Sequence, residues 1–416
     1  MRGMAQERSP PVPSERSDEA KVGYARIKRW VMFVEMAIGL AAPIVFIAVG
    51  GSNGLRDLAL DITANDPQAI LIYSVILIAG FALLTMPIDY YSGHVVEHRF
   101  GLSRASGRSW LSDFGKSLGL QLVLGVAAIE AIYGLIDLSE TYWWLISAGL
   151  FIGFFVVMAQ LAPVLIMPLF FKFEPAGEGE LRDRLLRLAD RFNTQVQGVY
   201  IWKLGEKTSK SNAALMGFGR TRRVVVADTM IEANTPDEIE VVLAHELGHH
   251  VHRDIPRLIT VQAVAMVVGF GVIDVVLGAL SDSFGLRGLD DFANLPLLML
   301  IASLGMLLIL PAINWYSRRR EHAADVFALE ATGRPEDFIS AMRSLGEQNL
   351  AVEDPNPIME FLFHSHPSLG KRIRFAEQYC RTGTERGALK SGRLPRRSRH
   401  RRVHSSPRSQ RGNCRM

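Results

Sequence analysis

Cysteine is nearly absent: Cys380 and Cys414 are the only two in 416 residues. Two late thiols make no disulfide framework, which excludes the small cross-linked secreted class. Cys414 stands third from the end rather than fourth, so the chain is not itself a C-a-a-X prenylation substrate. Acids are missing from 391–416, where nine arginines lie among Ser, Pro and His. That stretch supplies more than the formal charge of +4 and leaves the remainder net negative. It is expected to be a disordered, solvated tail rather than a site for anionic lipid or nucleic acid, and no nucleic-acid partner is expected. No internal repeat is evident. A polar leader precedes the first apolar run, which is long enough to span, so an uncleaved anchor is expected rather than a signal peptide.

Apolar residues are plentiful, at 49% of the chain, and they are clumped into long runs instead of being spread periodically. A membrane span needs about 20 mostly apolar residues. Six stretches qualify: 30–50, 68–87, 117–138, 143–167, 258–280 and 295–315. Buried helices of a soluble protein are usually shorter than these runs. Lys and Arg crowd 1–29 and 88–116, whereas 51–67 has Arg56 against Asp57, Asp61 and Asp66, and 281–294 has Arg287 against Asp282, Asp290 and Asp291. The positive-inside bias therefore places both termini, 168–257 and 316–416 on the cytoplasmic side.

His245-Glu246-Leu247-Gly248-His249 carries the chemistry. Two histidines four apart on a helix can share one metal ion, and the intervening glutamate can work on a metal-activated water, the pattern of a zinc metalloprotease. Thr235-Pro236-Asp237-Glu238 reads as a capping box, and Ile239, Val242, Leu243 and Leu247 follow at helical spacing. A catalytic zinc takes three protein ligands and leaves a fourth position open. The metzincin continuation is closed, because His252 and Ile255 hold its Gly and His positions. Glu321 and Asp325 fit instead, as two carboxylates on one helical face, the first to bind metal and the second to orient a ligand. The alternative is a solvated pair beside Arg318, Arg319 and Arg320. His250 and His252 point away from the metal and read as surface or interface residues.

Around the motif, an amphipathic helix is expected over 178–193, strands over 198–202 and 223–227, and a turn at Gly217-Phe218-Gly219. The expected organisation is a polar leader (1–29), a four-span membrane domain (30–167), a first catalytic segment (168–257), a two-span hairpin (258–315), a second catalytic segment (316–390) and the basic tail (391–416).

Several blocks in order resemble the integral-membrane type I CaaX prenyl protease family, to which heat-shock membrane peptidases are related. They are Tyr90-Tyr91-Ser92, Glu97-His98-Arg99-Phe100-Gly101, Ala162-Pro163 to Pro168, Phe171-Lys172-Phe173, Ser211-Asn212-Ala213, Leu243 to His249, Ser317 to Asp325, and Ser365-His366-Pro367 to Arg372. The resemblance implies a mainly α-helical multi-pass fold, with about six helices around an intramembrane chamber. A split zincin-like α+β metallopeptidase domain closes the cytoplasmic side. It implies His245, His249 and Glu321 as ligands of one Zn2+ per chain and Glu246 as catalytic acid/base. Asn212 and His366 would hold the substrate near the metal, Arg372 would be a supporting charge on the substrate-binding side, and Asp325 would stand behind the ligands. Eukaryotic members have seven spans where six are counted here. Three functions stay open: C-terminal processing of prenylated substrates, quality control of membrane proteins, and a zinc-containing scaffold or sensor, against which Glu246 speaks.

Overall fold

A computed structural model describes residues 18–390, apart from 218, 281, 282 and 284. Most of the leader and the arginine tail with Cys414 lie outside the described residues. In chain order the helices used below are α1 (Asp18–Ala48), α2 (Gly51–Ile62), α3 (Asp66–Tyr90), α4 (Gly107–Leu138), α5 (Trp143–Leu161) and α6 (Glu180–Arg191). They continue with α7 (Pro236–Val251), α8 (Asp254–Leu280), α9 (Leu295–Thr332), α10 (Pro335–Asn349), α11 (Pro357–Phe363) and α12 (Leu369–Lys390).

Among the described residues six helices are long and apolar enough to cross a bilayer, as expected: α1, α3, α4, α5, α8 and α9. Side chains such as Val123, Val275 and Leu308 remain exposed along them, the surface a lipid solvent would cover. Between α1, α3, α4 and α9 lies an apolar cavity of about 1340 Å3. Two helices run well past the expected spans. α1 begins at Asp18, and its first turns reach the soluble part, where Lys21 pairs with Glu347 at 2.5 Å and Tyr24 donates to Glu97 at 2.7 Å. α9 has 38 residues. At about 1.5 Å each it is about 57 Å long, nearly twice a bilayer core of about 30 Å. The sixth span and the helix carrying Glu321 and Asp325 are therefore one rod.

The segment 51–67, expected as a loop, contains α2. Its polar sequence hides the spacing that matters, with Ser52, Arg56 and Ala59 buried on one face. Arg56 pairs with buried Asp291 at 2.5 Å, and Ser52 donates to the Ala293 carbonyl at 2.7 Å. A buried ion pair adds little net stability, but breaking it would strand a charge, so it holds α2 to the segment entering α9.

The soluble part builds a four-stranded sheet from β1 (Phe173–Pro175), β2 (Val199–Trp202), β3 (Ala213–Met216) and β4 (Arg223–Ala227), in the order β1-β2-β4-β3. β2 and β4 are the two strands expected, and they pair in parallel with Val199 opposite Val224. β1 and β3 are additions. Ala213-Ala214-Leu215-Met216 is built of good helix formers, so only its antiparallel pairing with β4 makes it a strand. The turn at Gly217 and Gly219 joins this hairpin; Phe218 lies outside the described residues. The expected helix appears as α6, with Leu185, Leu188 and Ala189 buried against the sheet and α7.

Candidate metal centre

The capping box at the start of α7 is complete. Thr235 Oγ1 accepts from the Glu238 amide at 3.3 Å, and the Glu238 carboxylate accepts from the Thr235 amide at 2.8 Å. Ile239, Val242, Leu243 and Leu247 bury one stripe of the helix. That anchoring leaves His245 and His249 facing α9, one helical turn apart. The helices approach closely because of Gly248: a Cβ there would stand 3.1 Å from the Ala324 Cα and 3.2 Å from the Phe327 ring.

Across this narrow contact Glu321 meets both imidazoles. His245 Nε2 and His249 Nε2 are 3.2 Å apart, Glu321 Oε2 is 3.3 Å from the first, and Glu321 Oε1 is 3.4 Å from the second. Ligand atoms held at about 2.0–2.2 Å in a tetrahedral site stand about 3.3 Å from one another, so the two ring nitrogens and the Glu321 carboxylate, with one oxygen toward each ring, are close enough to share one ion. Glu321 Oε2 is moreover buried without a hydrogen-bond donor. A carboxylate oxygen and two ring nitrogens converging in this way fit a divalent cation.

The outer nitrogens of both rings are held as well. His245 Nδ1 lies 2.9 Å from Asp325, which Arg372 grips through two bonds of 2.9 and 2.6 Å. Burial disfavours charge on His245, but the Asp325 and Glu321 carboxylates beside it lift the imidazole to about 9, so an arriving cation must displace a proton. Glu246, next to His245, is half-buried. Burial pushes its carboxyl above the usual range, against the pull of the His245, His249 and Arg372 charges.

Residues 175–379 match the family model for peptidase family M48, and residues 9–172 match one described as CAAX prenyl protease N-terminal, five membrane helices. A CAAX prenyl protease 1 homolog of Arabidopsis thaliana is 30% identical over 74% of this chain and 74% of its own length. The chain belongs to peptidase family M48. CAAX prenyl protease 1 of Saccharomyces cerevisiae is 26% identical over 89% of this chain and 88% of its own, and an uncharacterized metalloprotease of Bacillus subtilis, YhfN, is 29% identical over 85% and 84%. The crystal structure of S. mikatae Ste24p has the same fold, with a TM-score of 0.79 at 24% identity over 89% of this chain and 92% of that one. The M48 chain is thus a multi-pass membrane metalloprotease, a hydrolase of peptide or protein substrates. Within 9–172 four described helices are candidate spans; α2 is the further helix, too short and polar to be a fifth.

Other residues of this M48 chain singled out in the sequence fall as follows. His366 is exposed, with Nε2 3.2 Å from Glu321 Oε1 and Nδ1 2.9 Å from Ser365 Oγ. Asn212 is exposed immediately before the edge strand β3. Arg372 is nearly buried on Asp325, placed to support the ligands rather than to meet solvent. The His252 ring packs edge-on against Phe327.

Sequence reasoning missed Asp254. Its carboxylate is buried, lies 2.9 Å from His249 Nδ1 and accepts from Arg320 Nε at 2.6 Å. Arg253, with φ 55, makes the left-handed turn that folds Asp254 back onto the preceding helix. A non-glycine residue with positive φ is the local signature of such a turn, but no sequence pattern announces it.

Proposed function

We propose that this chain is a zinc endopeptidase that processes the C-termini of prenylated peptides or proteins, with its active site on the cytoplasmic face of the membrane. The observation that carries the reading is the His245, His249 and Glu321 cluster with Glu246 on the same helix. Two imidazole nitrogens and a carboxylate oxygen form a donor set that suits zinc, and His₂Glu is one of its catalytic ligand sets. Bound there, zinc would act as a Lewis acid toward a peptide carbonyl and let a water ionise near neutral pH.

Glu246 accepts the proton of the attacking water and returns it to the leaving amine, a role that suits a carboxyl held above its usual pKa. Asp325 and Asp254 fix the two imidazoles through Nδ1, and Arg372 keeps Asp325 ionised and oriented. His366 donates to the oxyanion that forms at the scissile carbonyl, and Asn212 pairs with substrate backbone laid along β3, whose outer edge no described strand covers. The six spans bring a lipid-modified substrate to this site in the plane of the bilayer. Orientation follows the Lys and Arg bias of alternate segments.

The edge position of β3 also supports a second reading, broad quality control of membrane proteins, because added-strand pairing reads backbone rather than side chains. Comparison of farnesylated and unmodified peptides with the same Cys-a-a-X end decides between them. Removal of the tripeptide only from the farnesylated peptide supports processing. Equal cleavage of unmodified membrane proteins, compared by proteomics against a Glu246→Gln strain, overturns it.

A further inference from the structure

His366 reaches the metal centre from a loop, and a loop does not hold an imidazole still without help. Among the described residues the help comes from α9. One guanidinium nitrogen of Arg318 donates to the carbonyls of Glu360, Phe361 and His364 at 3.0, 3.3 and 2.6 Å. Asn314, one turn earlier, donates to the Leu362 carbonyl at 2.8 Å. They are the carbonyls of the last turn of α11 and of His364, which caps it; the Glu360 carbonyl also accepts from the His364 amide at 3.2 Å, while the carbonyls beyond it lie past the helix's own ladder. The far side of the loop is pinned too, because the buried Glu360 carboxylate accepts from the Ser368 amide at 3.1 Å and from Lys371 at 2.8 Å.

Asn314, Arg318, Glu321 and Asp325 follow at spacings of four, three and four, so one stripe of α9 holds both the loop and the metal ligands. We infer that Arg318, with Asn314 beside it, is the positioning residue for His366, locking the loop to the helix that carries the third metal ligand. The distance from His366 to the centre is then set by a rigid rod. This inference rests on the role proposed for His366.

The test is a double-mutant cycle on the full-length enzyme in detergent, with a fluorogenic farnesylated peptide as substrate. A displacement of about 1 Å at a reacting group can cost about 10²-fold, so Arg318→Gln is expected to lower kcat by about that factor. KM, metal content and thermal stability are expected to stay close to the parent. In a His366→Ala background the same change is expected to add less than about twofold, because residues acting as a unit are not additive. Arg318→Lys keeps the charge but has no planar fork, so it is expected to recover only part of the loss, and it replaces the Gln variant should that fail to fold. An equal further loss in the His366→Ala background, or loss of metal on changing Arg318, overturns the inference. If His366→Ala alone leaves kcat unchanged, the role of His366 itself falls, and the clamp's catalytic purpose falls with it.

Discussion

Glu246 and Glu321 are carboxylates of one cluster for which different work is proposed, and single changes separate them. Glu321→Ala is expected to lose metal and activity together, since two imidazoles alone hold zinc poorly. Glu246→Gln is expected to keep about one metal per chain, by metal analysis, while cleavage falls about 10²-fold or more. Asp254→Asn tests the support behind His249, and a fall of about 10-fold to 100-fold in metal affinity is expected. His245 gives the centre a pH dependence whose sign is fixed. Its folded-state pKa is raised to about 9, so below that pH a proton occupies the nitrogen a metal needs. Metal affinity is therefore expected to fall by about tenfold per pH unit, from this group alone, as pH drops below 9. Competition with a chromophoric chelator at two pH values measures the slope, and a flat profile contradicts it. Of these residues the sequence showed the histidines and glutamates outright, because a four-residue helical repeat is local. Asp254 was not legible, because its partner Arg320 lies far along the chain and the turn between α7 and α8 carries no signature.

At the scale of elements, the contact between α7 and α9 makes the centre, and Gly248 permits it. Gly248→Ala would press a methyl within 3.1 Å of the Ala324 backbone, which cannot swing aside as a side chain can. Gly248→Val is expected to be worse, destabilising by about 1–3 kcal/mol as overpacking does. The readouts are metal content and thermal unfolding; unchanged metal binding in Gly248→Val would show that the helices separate without moving Glu321. The length of α9 also has a consequence that the expected end at 315 concealed. Arg318, Arg319 and Arg320 look like a stop signal by charge, yet Arg318 and Arg320 are consumed by α11 carbonyls and Asp254, and the helix continues to Thr332.

The whole molecule is a bundle of apolar helices with its chemistry on one side, and topology is testable by cysteine labelling in a Cys380→Ser, Cys414→Ser background. Ala64→Cys is expected to react from outside the cell, and Asp190→Cys only after permeabilisation. Ser52 is unsuitable as a label site, being buried against Tyr73 and the Ala293 carbonyl. External reaction at position 190 would reverse the proposed orientation. A chelator is expected to abolish cleavage while leaving helical circular dichroism intact, because the spans are held by internal backbone bonds and lipid rather than by the ion.

The sequence alone determined the six spans, the capped metal helix and the residue types around it, since each rests on a period or a run that neighbouring residues express together. It also offered Glu321 as the proposed third ligand, because Glu321 and Asp325 share a helical face whatever surrounds them. Only the tertiary structure decided which side chains stand behind the ligands, that α2 is a helix docked by a buried Arg56–Asp291 pair, that Ala213–Met216 is an edge strand, and that Arg318 grips the loop of His366. These depend on partners far apart in the chain or on backbone hydrogen bonds made across elements. Local patterning cannot encode such contacts, because the residues involved have the composition of loops, helices or charged boundaries until a distant segment meets them.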